Sequence, residues 1–306
     1  IHAHITPSII FEAKKQGIPV VWTLHDYKLI CPNSHFLVDN SGVICEACGK
    51  NSYYHAILKR CKKGSLFAST MAAMEAYAHK LMGVHRHIDA YMVASTFLKE
   101  KLIERDFLDE KVHHLPYFLP AERFNFCDVN KGYIFFFGRL EPIKGIYLLI
   151  EACRLIPEIH VVLVGQVEGL LSNKLKTLLP PNAQYLGLVP DAELHQLLSD
   201  ALAVVVPSIV YESQPFSVLE AFAAGKPVIA SNIGGMTELV KDRERGLLVP
   251  PGDVQTLAEA MKWMVSHKKE ARVMGRNAYK YAREVHSPER HYEKLMEIYQ
   301  KVMNQG

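Results

Sequence analysis

Apolar residues in this chain fall into short, strand-sized blocks separated by longer amphipathic stretches. The rhythm is regular from residue 132 onward. GYIFFFG (132–138), HVVLVG (160–165), AQYLGLV (183–189), LAVVVPS (202–208), KPVIAS (226–231) and GLLVP (246–250) read as strands. IYLLIEACRLI (146–156), residues 170–179, DAELHQLLSDA (191–201), residues 216–224 and MTELVKD (236–242) read as the helices between them. VQTLAEAMKWMVSH (254–267) and EARVMGRNAYKYAREVH (270–286) close the run as helices. Strands that are apolar throughout and alternate with helices predict a parallel sheet covered on both faces. A last helix, SPERHYEKLMEIYQKVM (287–303), adds no strand and is expected to pack elsewhere.

The first half is less regular. SIIFEAKKQG (8–17) reads as a helix, VVWTL (20–24) as a strand, AYMVAS (90–95) as a strand and TFLKEKLIERDF (96–107) as an amphipathic helix. LFASTMAAMEAYAHKLM (66–82) is apolar all round, which predicts a buried helix. After VHHLPYFLP (112–120) the chain turns polar and irregular to about 131, which places a domain boundary there. The expected organisation is an α/β chain with domains 1–125 and 126–286, a cysteine-rich insertion at 31–61, and a closing segment 287–306.

The 306 residues suffice for two domains, and 49% hydrophobic with 22% charged residues describes a folded protein. A formal charge of +3 and a pI of 8.4 are too mild for nucleic-acid binding, and they suit an anionic substrate or loose contact with anionic lipid. No apolar run approaches the ~18 residues of a membrane span. IHAHITPS lacks both Met and a basic leader, so the chain is expected to begin inside a longer protein. His2 and His4 read as strand and strand-end residues.

Four of the six cysteines, Cys31, Cys45, Cys48 and Cys61, cluster around CEAC. In a reducing compartment four thiolates at this spacing suit tetrahedral structural zinc; the alternatives are buried free thiols or, in an exported protein, two disulfides.

In open parallel sheets ligands bind beyond the carboxyl ends of the strands, so the residues after each strand carry the chemistry. GRLEPIKG (138–145) supplies Gly138, where backbone can approach a ligand, and Arg139 with Lys144, which can neutralise a diphosphate. SIVYESQPFS sets Glu212 in a loop, with Pro215 breaking any helix before Glu220 eight positions on. That pattern predicts a loop leading to a helix N-terminus, which offers free N–H groups to an anion and two carboxylates to hydroxyls. The alternatives are a glycosidase acid and nucleophile pair, disfavoured by the basic neighbours, and a purely structural Glu220. His25 follows the first strand, where it is either a ligand-facing imidazole or a polar loop residue. No GxGxxG, GxxxxGK[ST] or GxSxG occurs at a strand end, which disfavours a dehydrogenase, a P-loop ATPase and an α/β hydrolase.

Taken in order, FGRLEPIKG, YESQPFSVLEAFAAGKPVIAS, NIGGMTELV and GLLVPPGD resemble the retaining glycosyltransferases of the GT-B fold, in particular family 4. Glu212 and Glu220 meet that family's E-x7-E spacing, and TLHDYKLICP is similar to its segment carrying the active-site histidine. The resemblance spans roughly residues 2 to 290. It implies two Rossmann-like domains facing a cleft, the first incomplete here, with the closing segment 287–306 crossing back to the first, and a nucleoside-diphosphate sugar (UDP or GDP type) held mainly by the second. Arg139 and Lys144 would bind the diphosphate, Glu220 the ribose, and Glu212 would lie near the donor sugar. Gly138 and the stretch Gln214, Pro215, Phe216 and Ser217 would lie along sugar and phosphate, Leu188 and Val189 beside the base, and His25 would face the sugar. The acceptor would be a glycan or lipid-linked hydroxyl in polysaccharide, lipopolysaccharide or glycolipid assembly. No cofactor would be required for catalysis, since two cations serve the leaving diphosphate. The protein would be cytoplasmic, with peripheral contact at the membrane face. The competing readings are a truncated or inactive nucleotide-sugar-binding module and a GT-B epimerase.

Overall fold

The computed structural model describes residues 6–49, 52–124, 126–127, 130–167 and 170–304; His2, His4 and the last two residues of GQVEG lie outside them. Two compact units divide the chain, Ile1–Tyr117 with Glu289–Gly306 and Phe118–Pro288. The boundary comes before the expected 125/126 because the irregular stretch is built into the second unit. Leu119 N–H donates to the His286 carbonyl (2.9 Å), Phe124 packs on the His195 ring, Phe126 packs on Tyr279, and Lys226 Nζ donates to the Cys127 carbonyl.

The first unit runs α1 (Ser8–Lys15), β1 (Val21–Leu24), β2 (Leu37–Val38), β3 (Val43–Ile44), α2 (Tyr54–Leu58), α3 (Leu66–Leu81), β4 (Ala90–Val93), α4 (Thr96–Ile103) and β5 (Val112–His114). Its parallel sheet has the order β1-β4-β5, with the buried β4 at its centre. Asp89, just before β4, ties Lys14 of α1 (2.6 Å) and the Val20 N–H (2.7 Å) to the sheet entrance. Within the cysteine segment β2 and β3 form a small antiparallel hairpin that apolar patterning did not signal. The buried Asn33 pins it, its Nδ2 donating to the carbonyls of Leu37 (2.7 Å) and Cys61 (3.1 Å).

α3 departs from the expectation of a buried helix. Only Ser69, Ala72 and Ala73 are buried, against the segment holding Cys48, Tyr53, Ala56 and Cys61. Its single layer of neighbours covers one face, and the apolar residues opposite stay exposed. α4 stops at Ile103 rather than 107, because the chain turns through Asp106 in the left-handed region (φ 66°).

The second unit runs β6 (Ile134–Phe137), α5 (Ile146–Leu155), β7 (Val161–Val164), α6 (Leu170–Leu178), β8 (Ala183–Tyr185), α7 (Asp191–Asp200), β9 (Ala203–Val206), α8 (Phe216–Ala223), β10 (Val228–Ser231), α9 (Met236–Leu239), β11 (Gly246–Val249), α10 (Val254–Ser266) and α11 (Lys268–Val285). α12 (Pro288–Met303) follows, and Ile298 and Val302 join Ala90, Met92 and Leu115 in a core cluster of the first unit. The six strands are all parallel in the order β11-β10-β9-β6-β7-β8. Counted from β6 this is the doubly wound order, whose direction of winding reverses between β6 and β9. β6, β7, β9 and β10 are buried along their whole length, as their unbroken apolar blocks require. β8 is shorter than the apolar block around it, since the chain bends through Gly187 (φ 80°) and leaves Leu188 exposed.

Candidate functional site

A crevice opens where the winding of a parallel sheet reverses, and here it opens beyond the ends of β6 and β9. A cavity of about 250 Å³ lies there. Gly138, Arg139 and Lys144 line it from the loop after β6, Ser208 and Glu212 from the loop after β9, and Pro215, Phe216, Ser217 and Glu220 from the start of α8. Gly138 adopts φ 131°, a conformation side chains disfavour, and a Cβ built there would meet nothing within 4 Å, so its backbone faces open space. Gly235 has the opposite reason for being glycine. A Cβ would meet the Ser213 carbonyl at 1.8 Å, and its own N–H donates to the Glu212 carbonyl (2.8 Å), so the IGG turn props the Glu212 loop from behind.

The charges are arranged in pairs. Lys144 Nζ lies 2.5 Å from Glu212 Oε1, half-buried, and the fully buried Ser208 Oγ donates to the same oxygen (2.9 Å). Arg139 pairs with Glu141 Oε1 (2.9 Å) while remaining largely exposed. Pro215 precedes the first residue of α8, so the helix turns its N-terminal end, Phe216 and Ser217, to the cavity wall. One turn on, burial, with the Asp191 carboxylate adding to it, pushes the Glu220 carboxyl up to about 7. A hydroxyl donating to Glu220 would favour its charged form.

Eight of the expected donor-side residues thus meet at one cavity: Gly138, Arg139, Lys144, Glu212, Pro215, Phe216, Ser217 and Glu220. Gln214 is buried beside them without lining it. Leu188 and Val189 do not line it either; they follow β8, two strands from β6 along the same edge. His25 lies in the other unit, after β1, where its Nδ1 is 2.7 Å from Tyr117 Oη and the rings stack. Burial, with Asp26 nearby, pushes the Tyr117 hydroxyl up to about 12, so it stays protonated at neutral pH. Sequence reading missed Tyr117, Ser208, Glu141 and Asp191. Tyr117 follows β5 and Ser208 follows β9, so the strand-end rule would have found both. The pairings of Glu141 and Asp191 needed coordinates.

A larger cavity, about 560 Å³, lies in the first unit between the end of α3 and residues 105–111. It flanks the entrances of β4 and β5 rather than their carboxyl ends, so size does not mark the site here.

The four clustered cysteines are free thiols, with Cys31, Cys48 and Cys61 buried. Burial first, and the neighbouring thiols second, push Cys48 up to about 12 and Cys61 up to about 11. Backbone N–H groups of residues 33–36 surround Cys31, an arrangement that favours its thiolate although burial wins. Among the described residues, no three His, Cys, Asp or Glu side chains stand in metal-holding geometry. Among the same residues, no helix is long and apolar enough to cross a membrane.

The family model for glycosyl transferases group 1 matches residues 122–281, more than half of the chain. The chain belongs to that family. The match covers all six strands of the second unit and every residue lining the cavity. This group 1 chain is 34% identical over 150 residues to a D-rhamnosyltransferase of Pseudomonas aeruginosa, covering 48% of this chain and 39% of that protein. It is 31% identical over 191 residues to the alpha-maltose-1-phosphate synthase of Mycolicibacterium smegmatis, covering 57% and 49%. It therefore spans less than half the length of these curated relatives. In fold it is similar to HepE of Anabaena, solved with UDP (TM-score 0.73, 19% identity, 96% of this chain and 76% of that one). It is also similar to sucrose-phosphate synthase of Thermosynechococcus elongatus (TM-score 0.71, 21% identity, 98% and 72%). These likenesses, with the parallel sheets, make the fold class GT-B.

Proposed function

We propose that this chain carries the donor site of a retaining family 4 glycosyltransferase, which moves a sugar from a nucleoside-diphosphate sugar to a hydroxyl of a glycan or lipid-linked acceptor. The observation that carries this reading is the convergence of Arg139, Lys144, the N-terminal end of α8 and two carboxylates on one cavity at the switch point. Cations and N–H groups match a diphosphate, and the carboxylates match ribose and sugar hydroxyls. The carboxyl end of β8 lies two strands from β6, about 10 Å at the ~4.8 Å strand spacing, which suits a base beside Leu188 and Val189 with its diphosphate at Arg139. The relatives' roles in sugar transfer, and HepE's UDP, support the same ligand class.

In the reaction the bond from the anomeric carbon to the diphosphate breaks as negative charge gathers on the leaving oxygen. Lys144 and Arg139 neutralise that charge, and the α8 N-terminus adds its N–H groups. The acceptor hydroxyl attacks from the same face and passes its proton to the departing phosphate oxygen. Glu212 holds the donor sugar and Glu220 the ribose. His25, kept in place by Tyr117, serves as the catalytic histidine. The product is polysaccharide, lipopolysaccharide or glycolipid, assembled at the cytoplasmic face of the membrane.

Calorimetry with UDP, GDP and uridine, together with a transfer assay on the full-length protein, tests this. Lys144→Ala should weaken nucleoside-diphosphate binding on the order of 10- to 100-fold, the worth of a charge-assisted contact, and spare the free nucleoside. Glu212→Ala should abolish transfer while only weakening diphosphate binding. Equal losses for nucleoside and diphosphate, or unchanged turnover, refute the assignment. Diphosphate binding with no transfer by the full-length protein would instead make it a nucleotide-sugar-binding module.

For the cysteine segment we infer a structural zinc site. Four thiols sharing one neighbourhood support it, although no three of them stand in metal-holding geometry among the described residues, so the ion would have to draw them together. About one zinc per chain is expected by elemental analysis of protein purified under reducing conditions. A metal-free, fully folded protein would leave four core thiols.

A further inference from the structure

Two loops of the second unit carry the charges of the cavity, and backbone contacts tie these loops to each other. The Ile209 N–H donates to the Ile143 carbonyl (3.0 Å), next to Ser208 on one side and Lys144 on the other. Gly145 presses on the Pro207 carbonyl, which a Cβ there would meet at 1.9 Å. The backbones of Lys144 and Ser208 are therefore held in register independently of the bond between Lys144 and Glu212.

Between these ties a single carboxylate oxygen takes two donors. Lys144 Nζ and the Ser208 hydroxyl both reach Glu212 Oε1, at 2.5 and 2.9 Å. Oε2 takes no hydrogen bond among the described residues and is not sealed from solvent. Glu212 lines the cavity, so Oε2 is the oxygen open to a ligand. The two anchors on Oε1 differ in kind. Lys144 has a flexible four-carbon stem and a charge that a diphosphate would claim. Ser208 is fully buried on a stem of one carbon, and Glu212 is the only acceptor its hydroxyl meets among the described residues. Parting that pair would leave a buried donor unsatisfied and deprive a carboxylate of its bond, so the pair resists separation.

We propose that Ser208 is a positioning residue for sugar transfer: it keeps hold of Glu212 Oε1 when Lys144 leaves for the diphosphate, and so aims Oε2 at a hydroxyl of the donor sugar. Lys144 is the exchangeable anchor and Ser208 the permanent one. The assignment rests on the donor reading and adds to it the order in which the contacts change. It also limits what the site accepts. An ionised carboxylate only accepts hydrogen bonds, so the sugar has to present a hydroxyl to Oε2. A donor lacking that hydroxyl leaves Oε2 unpaired in a closed site and is rejected. A residue that acts in this way touches no reacting atom, and its effect passes entirely through Glu212.

The first test is a crystal structure of the full-length protein with UDP or GDP, whichever binds more tightly. Lys144 should contact the diphosphate while Ser208 Oγ stays within hydrogen-bond distance of Glu212; a Glu212 that has left Ser208 overturns the proposal. The second test is Ser208→Ala. It should lower kcat for transfer roughly 10- to 100-fold, the worth of one hydrogen bond to a charged group, and change the Kd for the nucleoside diphosphate by less than about threefold. Ser208→Thr, which keeps the hydroxyl, should recover most of the loss. Parent-like turnover by Ser208→Ala overturns the proposal. So do equal losses of turnover and diphosphate affinity, which mark a merely structural residue, and so does a Ser208→Thr protein that melts like the parent yet is as slow as Ser208→Ala. Failure of the donor reading looks different. There the parent binds neither nucleotide, or Lys144→Ala binds as tightly as the parent, and this proposal falls with it.

Discussion

The two units use the same alternation of strand and helix and spend their apolar residues differently. In the six-stranded unit the central strands are buried throughout, and one cluster of aliphatic side chains runs from Ile134 to Met274. In the three-stranded unit α3 covers its neighbours with Ser69, Ala72 and Ala73 and turns Phe67, Met71 and Met74 outward. The first pattern makes a rigid platform whose strand ends can hold charges at fixed separations. The second leaves apolar surface to be used by something else. Apolar content alone therefore does not report burial; the number of layers packed on an element decides it.

The contrast can be broken most sharply at matched aromatic positions. Phe222→Ala in α8, a fully buried ring in edge contact with Tyr281, should cost about 3–5 kcal/mol in urea unfolding. It should also weaken UDP binding, since α8 carries Glu220. Phe67→Ala on α3 should move stability by no more than about 0.5 kcal/mol. Comparable losses at the two sites would mean that α3 is covered after all.

A smaller effect tests the platform's electrostatics. Glu220 titrates near 7 in the folded chain, above the ordinary carboxylate value of 4.5, so between those pH values the folded state holds a proton that the unfolded state has released. Stability should fall as pH rises through that window, by up to about 2 kcal/mol once partial exposure is allowed for. Glu220→Gln should remove the slope. UDP affinity should rise from about pH 6 to about pH 8 with proton release, because ribose hydroxyls donate to the carboxylate, and the variant should lose that dependence. Calorimetry in buffers of different ionisation enthalpy reads both.

A loss smaller than these platform effects belongs to the first unit. Asn33→Ala removes the Nδ2 hydrogen bonds to the Leu37 and Cys61 carbonyls and should cost about 1 kcal/mol or slightly more. The loss should appear as faster proteolysis between β2 and α2, with UDP binding untouched.

The second unit was legible because each of its determinants is local. Unbroken apolar blocks give the parallel strands, Gly138 and Pro215 mark chain reversals, and the strand-end rule then delivers Arg139, Lys144, Glu212 and Glu220 to one edge. The pairing of those charges was not legible, because Lys144 and Glu212 are 68 positions apart and their contact depends on β6 lying beside β9. In the first unit the β2–β3 hairpin escaped because each strand is only two residues long and is set by Asn33, not by alternation. α3 misled for a physical reason: an all-round apolar helix signals burial by some partner, and a sequence does not say whether that partner belongs to the same chain.

The bond between Lys144 and Glu212 gives the free chain an internal stand-in for its ligand. Its principal cation is already neutralised, so the cavity exerts little pull on stray anions such as inorganic phosphate. A ligand gains entry by exchange, offering Lys144 a better partner while giving Glu212 and Ser208 something else to hold. A single phosphate can do only the first. A nucleotide sugar can do both, so discrimination begins before any base or sugar is read.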